Sequence, residues 1–191
     1  MRRTMRHVIA LAVVAWSALG AGGVCGGGGA LAQTVAKPAL ELAKLDYFVG
    51  SWRCSGEVHR GKRVDKERAL VSWVRTLDGV WLAARQRWVR KGGASAYRNV
   101  AHWGYDKHLR RYVLLGVDNL GGRDEAQSIG WQKDKLVWRG RATVKGKHDM
   151  RVRVTFLKQA KNELWLETAV RPAGSKRWQR LNSASCKREG R

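Results

Sequence analysis

The sequence is poor in acidic residues, proline and cysteine. Its 191 residues include 15 Asp and Glu against 38 Lys and Arg, which gives a formal net charge of +23, and only 2 Pro and 3 Cys. So few cysteines exclude a disulfide-dense mini-protein, and the composition as a whole excludes collagen and coiled coils. Beyond the N-terminal region no apolar run approaches the roughly 18 residues that a membrane-spanning helix needs, which excludes a multi-span membrane protein.

The sequence signatures of several common enzyme classes are also missing. There is no G-x-S-x-G elbow, H-E-x-x-H pair, Walker loop, G-x-G-x-x-G turn or C-x-x-C pair. Serine hydrolases, zincins, nucleotide-binding proteins and thioredoxin-like proteins therefore lack their usual motif here. Because no histidines have the spacing of a metal site and no carboxylate pair suits acid/base chemistry, we predict neither a metal nor another cofactor.

The N-terminus has the three parts of a secretory signal peptide in the required order. Three arginines in the first six residues precede an uncharged apolar stretch at residues 8–19, and an A-L-A motif ends at Ala32. Cleavage after Ala32 is the expected processing of such a segment. We therefore predict a signal peptide over residues 1–32 and a single periplasmic or secreted domain over residues 33–191.

Cysteine usage agrees with export. Cys25 lies within the predicted signal peptide, and a lipoprotein anchored through it is not favoured because Val24 is larger than the small residue that such cleavage normally requires. Cys54 and Cys186 remain in the mature chain, where an even count in an oxidising compartment favours a disulfide. Two free buried thiols are the alternative.

After Gly50 the chain alternates short segments rich in Trp, Val and Leu with turn clusters of Gly, Asp, Asn and Lys, about every ten residues. Loops this short force neighbouring strands to be antiparallel, so we predict an all-β domain of ten up-and-down strands after a short N-terminal helix. The predicted strands are 51–58, 68–75, 80–89, 97–105, 110–118, 125–131, 136–144, 149–156, 163–170 and 178–188.

Alternation within the strands predicts which face is inside. Arg139 and Arg141 alternate with Trp138, and Arg151 and Arg153 flank Val152. Because successive side chains of a strand point to opposite faces, the apolar residues belong inside and the arginines outside. The net positive charge is therefore expected on the outer wall.

Closing the ten strands into a barrel would remove two long edges that otherwise invite aggregation. Closure pairs the first strand with the last in antiparallel fashion, and facing residues in such a pair have a constant index sum. If Cys54 faces Cys186, Trp52 must face Arg188. A guanidinium on an indole face contributes about 0.5 to 2 kcal/mol, so one assumed contact predicts a second, favourable one.

A family resemblance agrees with this barrel. The G-S-W motif at residues 50–52, after a short helical lead-in, resembles the Gly-x-Trp entry strand of the calycins: the lipocalin, fatty-acid-binding and nitrobindin types of barrel. In these barrels a basic residue of the last strand commonly covers the Trp, so the resemblance implies structural roles for Gly50, Trp52 and Arg188. The L-D-G, W-G-Y-D and C-K-R motifs also resemble a little-characterised bacterial family of secreted calycin-like domains of unknown function.

The resemblance covers approximately residues 45–188 and implies a barrel with an internal cavity or core, without an established activity. Nitrobindin-type barrels bind haem through a histidine late in the chain. The last two predicted strands of this sequence contain no histidine. We therefore do not predict haem binding.

Four residues are candidates for contact with a ligand. Trp88 and Trp138 lie on the clear inner faces of their predicted strands, although bulky aromatic residues can equally fill a core. His102 is in the middle of a predicted strand and, if it points inward, lines a pocket with Tyr112, Gln86 or Asn182. A hydrogen-bonded or surface histidine is the alternative.

Three functional hypotheses follow. The first is non-covalent binding of a small apolar or amphipathic molecule inside the barrel. The second is a cell-envelope protein whose basic outer surface binds an anionic polymer or lipid; nucleic acid would suit the charge too, but the predicted compartment argues against it as a physiological partner. The third is an enzyme that acts on a small hydrophobic substrate with His102 as acid or base.

Overall fold

The computed structural model describes residues 37–89, 95–144 and 147–190. The predicted signal peptide, residues 1–32 with Cys25, lies outside the described residues. Within the described ranges, no helix combines the length and the apolar character that crossing a membrane would require.

A single-turn helix, α1 (Leu40–Ala43), and a 3₁₀ turn (Asp46–Phe48) precede the strands. The described residues form eleven strands: β1 (Gly50–Arg60), β2 (Arg63–Thr76), β3 (Trp81–Val89), β4 (Ser95–Asp106), β5 (Arg111–Asp118), β6 (Arg123–Ser128), β7 (Trp131–Gln132), β8 (Lys135–Val144), β9 (Lys147–Ala160), β10 (Glu163–Arg171) and β11 (Gln179–Arg188).

Ten of the strands in the described ranges form one closed antiparallel ring. Each strand from β1 to β6 pairs with its neighbours in sequence, β11 to β8 continue the sheet beyond β1, and β6 pairs with β8 to close it. The two-residue β7 pairs with the start of β8 outside this ring. The predicted ten-stranded up-and-down barrel with a short N-terminal helix is therefore confirmed.

Two strand boundaries differ from the prediction for identifiable reasons. β2 begins at Arg63, because its polar first residues continue the ladder with β1 as far as the pair Arg60 and Arg63. The predicted strand 125–131 is divided, because Gly130 adopts a φ of 90° between the end of β6 and β7. A positive φ suits glycine and interrupts an extended strand.

The seam between β1 and β11 has the predicted register. Cys54 faces Cys186 and forms a disulfide with it, and Trp52 faces Arg188. The guanidinium carbon of Arg188 lies 4.4 Å from the centroid of the Trp52 ring. The alternative of two free thiols is therefore wrong.

A glycine lies in each of the two strand pairs that close the ring, β1–β11 and β6–β8. A Cβ atom on Gly56 of β1 would lie 2.0 Å from the carbonyl oxygen of Ser183 in β11, and one on Gly140 of β8 would lie 1.8 Å from the carbonyl oxygen of Glu125 in β6. Only a residue without a side chain permits this close approach of neighbouring backbones, which is the usual role of glycine at a barrel corner. The two glycines thus allow the sheet to bend onto itself.

The N-terminal lead-in covers one end of the barrel, which we call the closed end. The Tyr112 hydroxyl donates a 2.8 Å hydrogen bond to the carbonyl of Glu41, and the Trp131 indole donates a 2.9 Å bond to the carbonyl of Lys44. Phe48 of the lead-in is fully buried. The opposite end, which carries the β1–β2, β5–β6 and β10–β11 connections, is the distal end.

An aromatic floor fills the barrel next to the closed end. The ring of Phe48 lies 5.0 Å from those of Trp103 and Phe156 and 5.3 Å from that of Trp73, and Trp103 lies 5.1 Å from Trp138. Such distances between ring centroids are those of aromatic rings in direct contact. The floor comprises Phe48, Trp52, Trp73, Trp103, Trp138 and Phe156.

Candidate functional site

The interior changes character from the closed end to the distal end. Along β4 the inward side chains run from Trp103 in the floor through Ala101 and Asn99 to Tyr97. Most barrel strands likewise have an inward alanine or glycine beyond the floor. This small-residue belt consists of Gly56, Ala69, Ala84, Ala101, Gly116, Ala126, Gly140 and Ala184. At this level of the barrel, most strands therefore contribute no bulky side chain to the interior.

Beyond the belt lies a set of inward side chains that we call the distal chamber. Its lining residues are Val58, Gln86, Tyr97, Asn99, Asp124, Met150, Val154, Thr168 and Asn182. These side chains are half-buried although they face inward, whereas those of the floor are almost completely buried. Solvent therefore reaches these side chains in the distal half of the interior, where Trp88, Val152 and Val170 also face inward but are buried.

The lining is mostly polar on one side and mostly apolar on the other, where Thr168 of β10 and Asn182 of β11 are polar. Gln86, Tyr97, Asn99 and Asp124 belong to β3, β4 and β6, which are close together in the sheet. The wall formed by β8 to β11 instead carries an apolar cluster: Ala142, Val152 and Val170, with Met150, Val154 and Leu181 packed against them. A molecule in the chamber would meet hydrogen-bonding groups on one face and hydrocarbon on the other.

Several buried polar groups have no partner among the described residues. The indole N–H groups of Trp73, Trp103 and Trp138 donate no hydrogen bond there, and the Oδ1 atom of Asn182 accepts none. By contrast, the indole of Trp88 donates a 3.1 Å bond to Gln86. Leaving a buried donor or acceptor unpaired costs about 1 to 3 kcal/mol, and native proteins rarely do so. Of these groups, the Oδ1 atom of Asn182 belongs to the lining of the distal chamber, and the three indoles belong to the floor.

Asp124 projects its carboxylate over Gly116 on the inner face of the wall. A Cβ on Gly116 would lie 2.1 Å from the Oδ1 atom of Asp124, so the carboxylate uses the space that the glycine leaves. Burial, with the nearby Asp118 carboxylate, raises the pKa of Asp124 to about 6. Burial, with the charges of Asp118 and Asp124, also raises the pKa of Tyr97, so its hydroxyl keeps its proton.

Two further carboxylates inside the barrel, those of Asp65 and Glu67, are paired with arginine. Arg60 lies 2.6 Å from both Asp65 and Glu67, and Arg63 lies 2.6 Å from Asp65. The hydrogen bond from Arg63 is the main cause that lowers the pKa of Asp65. These ion pairs lie at the end of the β1–β2 hairpin. Their carboxylates, unlike that of Asp124, have arginine counter-ions.

The four predicted ligand residues do not lie together. Trp138 is fully buried in the floor, and Trp88 is buried at the distal end, where it is paired with Tyr97. Tyr112 is buried at the closed end, where it holds α1. His102 is exposed on the outer face, because its neighbours in β4 take the inward positions. The idea that His102 lines the interior with Tyr112 is therefore wrong.

Sequence reasoning missed Tyr97, Asn99 and Asp124. Polar residues at inward positions remove the alternation by which a strand's inner face is recognised, and the predicted strand 97–105 shows poor alternation for this reason. The register of β5 with its two neighbours is the signal that could have found these residues. In that register Asn99 faces Asp118, and Gly116 faces Asp124.

The outer wall of β8 to β10 carries rows of arginines. Arg139 faces Arg153, and Arg151 faces both Arg141 and Arg171. We call these five residues the arginine wall. The Trp178 ring lies between two of them, 4.9 Å from the guanidinium carbon of Arg153 and 5.3 Å from that of Arg171.

Carboxylates neutralise little of the arginine wall. Glu167 lies 3.7 Å from Arg153 but only 2.9 Å from Arg180, which lies outside the wall. Like charges that face each other across strands are destabilising, so the arrangement concentrates positive charge that the described carboxylates do not offset.

No group of three or more potential metal ligands occurs in the part of the chain that the structure describes.

No family model matches the sequence, and no curated protein matches it. Solved structures share its fold. Rv2717c from M. tuberculosis aligns with a TM-score of 0.65 and 14% identity over 81% of this chain and 100% of that chain. The S-type phycobiliprotein lyase CPES from Guillardia theta aligns with a TM-score of 0.51 and 12% identity over 81% of this chain and 99% of that chain. The chain thus has a calycin-like barrel fold, as the sequence resemblance implied.

Proposed function

We propose that this protein binds a small amphipathic molecule non-covalently in the distal chamber. The observation that carries the proposal is the layered interior: a filled aromatic floor, a belt of alanines and glycines, and then a half-exposed lining with one polar and one apolar side. Concave sites with mostly apolar walls and a few placed polar groups are typical of small-molecule binding. The fold similarity to a phycobiliprotein lyase supports the proposal at the level of architecture.

The unpartnered groups agree with this function. A barrel selected only to fill its core would be expected to pair or omit the buried indole N–H of Trp138 and the Oδ1 atom of Asn182. A ligand in the distal chamber that carries a donor can satisfy Asn182, which lines that chamber. The proposal therefore favours an amphipathic molecule over a pure hydrocarbon.

The test is a titration with N-phenyl-1-naphthylamine, an uncharged fluorescent probe that the basic exterior does not attract. We expect saturable binding that Ala101→Leu weakens about tenfold or more, because the new side chain fills the small-residue belt. Val100→Leu is the matched control, since Val100 is the exposed neighbour on the same strand. Near-UV circular dichroism checks that both variants keep the native fold. Absence of saturable binding would contradict the proposal.

The arginine wall supports a second candidate function, binding of an anionic envelope polymer or lipid. Phosphatidylglycerol vesicles should then retain the protein at low salt and release it at moderate salt, since such attraction is screened. Replacing Arg139 and Arg151 with Gln should weaken retention more than the same change at Arg85 and Arg87 of β3. Equal effects of the two pairs would indicate a response to net charge alone, without a defined site.

Export is part of the proposal. A signal peptide over residues 1–32, removed after Ala32, would deliver a single domain of residues 33–191 to the periplasm or the medium, where the disulfide can form. The denatured mass of the protein recovered from a bacterial periplasm tests this, because it should correspond to a chain that begins at Gln33 and carries one disulfide. A mass that includes the first 32 residues would overturn it.

A further inference from the structure

Asp124 is an inner-wall carboxylate that has no counter-ion among the described residues of this strongly basic chain. The sequence has 38 Lys and Arg, yet within the described ranges none of them forms an ion pair or a hydrogen bond with Asp124. Asp65 and Glu67, on the inner side of β2, each have an arginine at 2.6 Å. Asp124 is half-buried, and partial removal of an ion from water without a partner is costly, so this carboxylate needs an explanation.

Packing does not explain the carboxylate. In the sheet, Asp124 of β6 faces Gly116 of β5 on one side and Ala142 of β8 on the other. Both neighbours carry little or no side chain, so the carboxylate has room, and no hydrogen bond to it occurs among the described residues. Its own contribution to stability at neutral pH is unfavourable, because burial raises its pKa to about 6.

The groups that face Asp124 do not neutralise it. Asp118 of β5 is also negative, and its Oδ1 atom already accepts 2.8 Å hydrogen bonds from the backbone N–H groups of Leu120 and Gly122. Tyr97 of β4 keeps its proton and carries no charge. On β8 the charged neighbour of this region is Arg141, which is exposed on the outer face. The inner surface around Asp124 therefore has a local negative charge.

Two independent observations show that the same interior lacks hydrogen-bond partners. The acceptor Oδ1 of Asn182 has no donor among the described residues. The indole N–H of Trp138, a fully buried side chain of the strand that pairs with β6, has no acceptor there. Asn182 lines the distal chamber as Asp124 does, whereas Trp138 lies in the floor, so a molecule in the chamber that offers a charged donor to Asp124 can also offer a donor to Asn182.

We propose that the distal chamber selects an amphipathic amine, with its ammonium group on the Asp124 carboxylate and its apolar part against the cluster of β8 to β11. This inference rests on the proposed function, because it names the class of ligand that the same chamber takes. A protonated amine supplies the charge and the N–H donors that the inner wall lacks, and the apolar cluster buries the remainder of the molecule.

The positive exterior does not oppose this selection. The net charge slows the approach of a cation, but at physiological ionic strength the field of the outer arginines is screened over about 8 Å. On the polar side of the chamber, Asp118 and Asp124 are less screened because they are partly buried, and the Arg60, Asp65 and Glu67 charges inside the barrel are paired with one another. Equilibrium preference is therefore decided by the carboxylates.

Two matched probes test the inference: naphthylethylamine, which is cationic, and naphthylethanol, which is neutral and has the same ring and chain. Isothermal titration calorimetry at about pH 8 should show that the wild-type protein binds the amine at least about tenfold more tightly, as expected of a charge-assisted hydrogen bond. Asp124→Asn should remove this advantage and leave the affinity for the alcohol within about twofold. Glu125→Gln is the control, because Glu125 is the exposed neighbour on the outer face.

The pH dependence of the wild-type protein provides a readout that needs no variant. The amine should lose its advantage as the pH falls below about 6, since Asp124 becomes neutral while the amine stays protonated. Equal affinities of the two probes, or an advantage that survives Asp124→Asn, would overturn the inference and leave the proposed function standing. Failure of both probes to bind to saturation would contradict the proposed function and the inference with it.

Discussion

Arg188 of the last strand lies on the Trp52 ring of the first strand and also donates hydrogen bonds to the carbonyl groups of Tyr47 and Val49. One side chain thus joins the seam of the barrel to the lead-in that covers its closed end. The Trp52 indole completes the arrangement by donating a 2.8 Å bond to the carbonyl of Phe48. The position of the aromatic floor consequently depends on this seam.

Replacing Arg188 should destabilise the protein although the residue lies near the C-terminus. Arg188→Met keeps apolar contact with Trp52 but leaves two carbonyl groups without their donors, so we expect a loss of about 2 to 4 kcal/mol in the free energy of unfolding. Urea denaturation measures it. Lys187→Met is the control, because Lys187 is 81% exposed, and it should change the free energy by less than about 0.5 kcal/mol.

The disulfide should contribute strongly to stability because it joins distant parts of the chain. Cys54 and Cys186 are separated by 132 positions, and constraining so long a loop in the unfolded chain is worth up to about 5 kcal/mol in the chain-entropy model. The double variant Cys54→Ala/Cys186→Ala should therefore unfold at a clearly lower urea concentration. If reduction of the wild-type protein left its urea midpoint unchanged, this account of the seam would be incorrect.

Barrel closure at the β6–β8 junction should be sensitive to a single methyl group. Gly140→Ala would place a Cβ 1.8 Å from the Glu125 carbonyl oxygen, so the strands must separate, and we expect a loss of more than about 2 kcal/mol in thermal or urea unfolding. Gly190→Ala is the control, since a Cβ there meets no atom within 4 Å. Equal stability of the two variants would show that the junction tolerates bulk.

The sequence was informative about the wall of the barrel and much less so about its interior. Turn chemistry and alternation predicted ten strands, and constant index sums predicted that Trp52 faces Arg188. Inner polar residues such as Asn99 and Asp124 disturb the alternation that identifies an inner face, so the chamber could not be located in this way. The direction of His102 likewise depends on whether its neighbours Ala101 and Trp103, which share one face of the strand, point inward or outward, and weak alternation left that undecided.

The raised pKa of Asp124 predicts that the difference in stability between the wild type and Asp124→Asn depends on pH. Because the folded-state pKa is raised from 3.8 to about 6, the folded protein binds a proton more tightly than the unfolded chain does. The free energy of unfolding of the wild-type protein therefore falls as the pH rises from 3.8 to about 6. Asp124→Asn should recover about 1 to 3 kcal/mol of this free energy at about pH 7.5 but little at about pH 4. Urea unfolding at both pH values measures this. A variant that is less stable than the wild type at neutral pH would contradict the unpaired state of the carboxylate.

Native mass spectrometry of the protein isolated from a bacterial periplasm tests the central claim most directly. Ligand binding in the distal chamber predicts an added small-molecule mass that is lost on denaturation and is displaced by naphthylethylamine, but less readily in Asp124→Asn. A protein that carries no adduct from several extracts, and that takes up neither naphthalene probe, would show that the barrel interior is a filled core. The arginine wall would then be the remaining candidate for a functional surface.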